Sequence, residues 1–166
     1  MLPAEKLFSA AFAEAVKKFA PGRHRIEKVT EKNGVLFVND SKGTNPAAVI
    51  AAVKSMDRPV VIMLGGLDKG MDFSPLSELA PKLRGAVLYG ESAPEISKVL
   101  KGLIPCTECG MDFEAAFAEA VKMAHAGDCV LLSPACASMD MFRNYQERGE
   151  RFKTLVYKYV AEQLKK

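Results

Sequence analysis

Tryptophan is absent from this chain, histidine occurs twice and cysteine four times in 166 residues. His24 and His125 are not grouped with the cysteines, and Cys106-Thr107-Glu108-Cys109 is the only CxxC, with six residues between Cys129 and Cys136. A structural zinc site needs four convergent ligands. The expectation is therefore reduced, buried or half-buried thiols and no metal site. No stretch approaches the ~18 apolar residues of a membrane-crossing helix, so no membrane partner is expected. The N-terminus carries acids and has no small-residue cleavage site after an apolar core, which gives no secretory signal. Charge of one sign is also lacking: 23 basic residues meet 20 acidic ones, well mixed, for a net charge of +3. Nucleic-acid binding would need a clustered basic face with stacking aromatics, so none is expected.

Three catalytic signatures are missing as well. There is no GxxxxGK[ST], and Gly65–Gly70 is glycine-rich without the lysine–hydroxyl pair that cradles phosphates and holds Mg²⁺. No GxGxxG follows a strand, which leaves a dinucleotide site unsupported. No serine sits in a nucleophile elbow.

What remains is an ordinary globular composition, 49% hydrophobic and 26% charged with mean hydropathy near zero, and a length that suits one domain with a real core. Apolar residues from Leu7 to Phe19 recur at three- and four-residue spacing, so 3–19 reads as a helix closed by Pro21-Gly22. His24 to Thr30 and Gly34 to Val38 read as a hairpin around Asn33-Gly34. A strand–helix rhythm follows. Helix 45–55 precedes strand Val60–Leu64, helix 74–83 precedes strand Ala86–Tyr89, and helix 93–101 precedes an edge strand around Leu103–Cys106. Helix 112–125 then leads to strand Cys129–Leu132, and a helical region covers 140–165. Asn144 and Glu147 have the spacing of a helix start. The central strands are continuous apolar runs rather than alternating ones, so both faces of the sheet are covered. The expected fold is α/β, a Rossmann-like doubly wound, mostly parallel sheet flanked by helices, with an N-terminal β-hairpin.

Polar residues collect where strands end. Asn39-Asp40-Ser41-Lys42-Gly43-Thr44-Asn45 lies between an apolar strand and an apolar helix, and the loops 65–72 and 133–140 follow two other strands. In a parallel sheet all three emerge on one edge, where helix N-termini expose free N–H groups. Lys42, Thr44, Lys69 and Ser138 can then converge, and cations, hydroxyls and amides together suit a ligand bearing carboxylates or phosphates. Taken singly, each has a plainer reading. The lysines would be solvated, Ser138 a cap, and the first loop a turn with Asn45 or Thr44 as N-cap.

Four segments carry a resemblance. His24-Arg25-Ile26-Glu27, NDSKGTN at 39–45, LGGLDKGMDFSPL at 64–76 and LLSPACASMDMFRNYQERGERF at 131–152 occur in the order and spacing of the C-terminal domain of the Mur ligases, and the last is closest to the branch that adds D-glutamate. Gly43 stands where alanine is frequent, and Tyr145 where phenylalanine is frequent. The resemblance implies an ATP-dependent ligase of peptidoglycan precursor synthesis in the cytoplasm. ATP and Mg²⁺ would be its cofactors, held by other domains and not by this one alone, and D-glutamate and UDP-MurNAc-L-alanine its substrates. It further implies that residues 1–22 are the tail helix and linker of a central domain and that 23–166 is the amino-acid-binding C-terminal domain. Lys42, Thr44, Lys69, Ser138, Met139 and Tyr145 would bind substrate, with Lys42 also catalytic, while Arg25 and Asp40 would reach the nucleotide. The alternative is a stand-alone, non-catalytic amino-acid-binding module of the same fold.

Overall fold

A computed structural model describes residues 22–166; the helix expected over 3–19 lies outside them. β1 (Glu27–Lys32) and β2 (Val35–Asn39) form the hairpin, with Lys32 opposite Val35 across Asn33-Gly34. Both turn residues have positive φ, 54° and 77°, the geometry that Asn-Gly adopts readily and that matches strand twist. β1 starts at Glu27 rather than His24, because His24 and Ile26 take left-handed backbone conformations, φ 65° and 43°, that break the strand.

The remaining elements are α1 (Pro46–Lys54), β3 (Val60–Gly65), a 3₁₀ segment (Ser74–Lys82), β4 (Leu83–Tyr89), α2 (Ala93–Leu100), β5 (Cys106–Glu108), α3 (Phe113–Met123), β6 (Cys129–Ala135) and α4 (Tyr145–Gln163). The six strands lie in the order β1-β2-β6-β3-β4-β5. β1 is antiparallel to β2 and every other pairing is parallel. α1, the 3₁₀ segment and α2 pack Val49, Val53, Leu76, Leu79, Ile96 and Leu100 with Ile62, Leu64 and Leu131 of the strands. α3 and α4 pack Phe113, Phe117, Phe152 and Val156 with Phe37, Val61, Met63 and Val130. Alternate residues of one strand thus enter opposite cores, which is why the central strands are apolar throughout.

Three expectations change in detail. Residues 74–82 form a 3₁₀ helix, since Pro81 donates no N–H and an α-helix would drive its ring into the Ser77 carbonyl, and Leu83 already begins β4. The edge strand starts after Pro105 rather than at Leu103, because residues 101–104 close a turn in which Leu103 N–H meets Leu100 O at 3.0 Å. Residues 133–135 extend β6, and the C-terminal helix begins only at Tyr145. Asn144 caps that helix through the Glu147 N–H at 2.8 Å. The Glu147 carboxylate accepts from the Arg143 N–H at 2.7 Å, one residue earlier than a capping box requires.

Candidate functional site

β2, β6 and β3 are neighbours in the sheet, so the loops at their carboxyl ends lie side by side. The chain leaves β2 and β3 towards one face and β6 towards the other, which opens the crevice where doubly wound sheets bind ligands. The first loop is held in detail. Asn39 accepts from the Ser41 N–H at 3.1 Å, and Gly43 N–H donates to Asp40 O at 2.8 Å. The Lys42 N–H donates to His24 O at 3.0 Å. Asn45 then caps α1 through the Ala48 N–H at 2.9 Å, and no acid occupies the first turn of that helix, so its positive end stays available beside Lys42 and Thr44.

Lys42 is exposed and its ammonium lies 6.0 Å from the centroid of the half-buried Tyr145 ring, within cation–π reach. Thr44 is half-buried. Backbone pairing of Leu67 with Ala137, N–H to O at 2.8 Å, docks the loop after β3 against the loop after β6. That pairing sets the exposed Lys69 two residues from one strand of the seam and the buried Ser138 next to the other. The Ser138 carbonyl accepts from the Met141 and Phe142 N–H groups, while Met139 stands exposed. Among the described residues neither Lys42 nor Lys69 has an ion-pair partner. Among the described residues no hydrogen bond or ion pair joins Lys69 to Lys42 or Thr44.

Asp40 is buried, with one carboxylate oxygen accepting from the Ile26 N–H at 3.0 Å and the other from the Ser133 hydroxyl at 2.7 Å. Burial pushes its carboxyl above the usual range, against the opposing pull of those two hydrogen bonds and of the neighbouring Arg25 charge. Arg25 is exposed on the same turn. Gly43 lets this cluster close, since a Cβ there would lie 2.6 Å from the Asp40 carboxylate and 2.8 Å from Ser133 Oγ. At the end of β6, Ala135 adopts φ 65° and donates its N–H to Gly43 O at 2.9 Å. Left-handed residues at Ala135, His24 and Ile26, each costing on the order of 1–3 kcal/mol, therefore gather around one site.

Sequence reading missed His24, Ser41, Ser133 and Arg148. Arg148 had a signal: it shares the i, i+4, i+7, i+8 stripe of α4 with Phe152, Leu155 and Val156, and a cation on an apolar stripe marks a buried polar partner. His24 is buried, with Nδ1 2.9 Å from Asn39 Nδ2 and its ring edge-on to Tyr145 at 6.1 Å between centroids. Burial lowers its pKa below the ordinary 6.5, with Glu150 and Glu27 opposing. A base with a lowered folded pKa stabilises the fold above pH 6.5, and that stability is lost as pH falls from 6.5 towards the folded value. Urea unfolding across this window should show the loss in the native chain, and a His24→Phe chain should lack it. Identical pH slopes would assign the loss elsewhere.

Residues 24–136 match the Mur ligase, glutamate ligase domain family. The chain belongs to this family. Among curated relatives of this Mur ligase domain, the UDP-N-acetylmuramoylalanine--D-glutamate ligase of Aromatoleum aromaticum is 50% identical over 140 residues, covering 83% of this chain and 30% of the relative. The enzyme of the same description from Dechloromonas aromatica is 49% identical over 140 residues, covering 84% and 31%. The chain thus spans about a third of the length of the curated relatives it matches. UDP-N-acetylmuramate-alanine ligase from Thermotoga maritima shares the fold with a TM-score of 0.60 at 14% identity, covering 90% of this chain and 33% of that one. The matched region of this Mur ligase domain contains Arg25, Asp40, Lys42, Thr44 and Lys69, and Ser138, Met139 and Tyr145 lie just beyond it. Among the described residues no three His, Cys, Asp or Glu side chains are placed to hold a metal ion, and no helix is long and apolar enough to cross a membrane.

Proposed function

We propose that residues 23–166 form the amino-acid-binding domain of a cytoplasmic, ATP-dependent ligase that joins D-glutamate to UDP-MurNAc-L-alanine. Residues 1–22 would connect this domain to the part of the protein that holds ATP and Mg²⁺. The observation that carries the reading is Lys42 and Lys69, without ion-pair partners among the described residues, on two loops that each bond to the loop carrying Ser138 between them, in a chain about half identical to named D-glutamate ligases. Two carboxylates need two anchors, and a lysine in each of the two loops that flank the Ser138 loop supplies them, with Thr44, Ser138 and the backbone near Met139 and Tyr145 completing the cradle.

In this reaction ATP activates the substrate carboxylate as an acyl phosphate. The D-glutamate amine attacks the acyl carbon, an amide bond forms and phosphate leaves. Lys42 neutralises charge as it develops on the departing phosphate, while Arg25, with Asp40 bracing its turn, faces the nucleotide. Closure of the partner domain over the site aligns amine and acyl group and excludes water.

Without that closure, binding by the chain should be weak, about millimolar or about 4 kcal/mol. NMR titration with D-glutamate should shift the amides of Thr44, Lys69, Ser138 and Met139 more than L-glutamate does. Shifts confined to the Cys106–Cys109 region would place the site elsewhere.

A further inference from the structure

Arg148 is fully buried, yet no carboxylate among the described residues lies within ion-pair distance of it. Its guanidinium is spent on two loops. Nε donates to Ser41 Oγ at 3.0 Å, and Nη2 donates both to Ser41 O at 2.8 Å and to Cys136 O at 3.0 Å. Ser41 Oγ in turn donates to the Tyr145 carbonyl at 2.7 Å. The first turn of α4 therefore grips Ser41 from two sides, through the backbone of Tyr145 and the side chain of Arg148. With Asn39 taking its N–H, every polar group of Ser41 is engaged. Lys42 is the next residue on one side of this clamp, and Ser138 is two residues beyond Cys136 on the other.

We infer that Arg148 is the positioning residue of the amino-acid site, the strut that fixes the Lys42–Thr44 loop against the Ser138 loop before any ligand arrives. This rests on the reading of those loops as the D-glutamate site. The fork geometry matters as much as the charge, because a guanidinium can span two carbonyls and a hydroxyl at fixed angles and an ammonium cannot. The guanidinium donates to carbonyls and a hydroxyl, and the Asp140 carboxylate acts on it only through space. Gly66 packs close against the guanidinium: a Cβ there would lie 3.2 Å from Arg148 Nη1. Nη1 and the Tyr89 hydroxyl lie near one another without a well-formed hydrogen bond, and burial pushes the Tyr89 pKa up while the arginine beside it pulls it down.

The test is amide exchange and D-glutamate titration on the native chain and on Arg148→Met, Arg148→Lys and Ser41→Ala. Ala135 N–H bonds across the two loops to Gly43 O, Lys42 N–H ties the first loop to His24 O, Leu67 N–H ties the loop after β3 to Ala137 O of the Ser138 loop, and Ile62 reports the core. In Arg148→Met and Arg148→Lys, exchange at Lys42, Ala135 and Leu67 should rise at least tenfold together, with Ile62 unchanged, and D-glutamate binding should weaken at least tenfold. Ser41→Ala should loosen Lys42 and leave Leu67 protected, since the bond to Cys136 survives. Loosening of one loop only in the arginine variants, a uniform rise that includes Ile62, or unchanged affinity in the lysine variant would overturn the assignment. Should the methionine variant fail to fold, the lysine variant and Ser41→Ala decide by the same criteria. If the native chain gives no D-glutamate shifts at all, the substrate reading fails, and the exchange pattern still decides whether Arg148 is the strut.

Discussion

A Gly65→Ala chain is expected to lose more than about 4 kcal/mol, beyond the range of ordinary substitutions and a large part of the 5–15 kcal/mol that holds a domain together. Gly65 ends β3, which is paired on both sides, with β4 and with β6. Its φ of 143° is one that side-chain-bearing residues rarely adopt, and a Cβ would be driven into the Tyr89 carbonyl of β4. That neighbour is backbone within the sheet and cannot turn aside. Gly70 is the control: its φ is 72°, but a Cβ there would meet nothing, so Gly70→Ala should cost only the roughly 1–2 kcal/mol of a left-handed backbone. Thermal melts followed by circular dichroism should place the Gly65 variant at least roughly 10 °C below the native chain, at 2–4 °C per kcal/mol for this size. A Gly65→Ala melt within a few degrees of the Gly70→Ala melt would remove the packing argument.

The second large effect is kinetic and belongs to the complete ligase. Lys42→Ala should lower kcat by about 10²–10³-fold, the scale for removing one preorganised group that meets developing charge. Cys106→Ala should change the rate little. Its thiol is half-buried, and burial, followed by the Glu108 charge, raises its pKa, so it is a poor nucleophile and a poor metal ligand at neutral pH. The two variants separate cleanly in steady-state assays of phosphate release. Equal losses would mean that the lysine, like the thiol, serves only the fold.

The architecture was legible because the periodic signals were strong. Asn33-Gly34 gave the hairpin, and the unbroken apolar runs of β3, β4 and β6 gave a sheet covered on both faces. Helix type between 74 and 82 was not legible from apolar spacing, since the decisive fact is a missing N–H at Pro81. For the site, sequence order supplied the exposed cations and hydroxyls, because residues at strand ends are placed by topology alone. It did not supply what lies beneath them. The bonds from Arg148 to Ser41 and Cys136 cross 107 and 12 residues, and that from Ser133 to Asp40 crosses 93. No local pattern encodes such pairings. Only the polar residue on the apolar stripe of α4 hinted that a network was there.

The sheet order has a consequence for how the domain comes into being. β6, the last strand to be made, lies between β2 and β3 and hydrogen-bonds to both. Until residue 135 has left the ribosome, a nascent chain carries two apolar half-sheets with a gap the width of one strand and two open edges facing it. Long-range pairings of this kind are slow to form and leave strand edges exposed while they wait. Both strands that flank the gap also end in loops of the proposed site, so that site cannot be assembled in stages. It forms when the final strand slots in, which ties acquisition of the binding surface to completion of the fold.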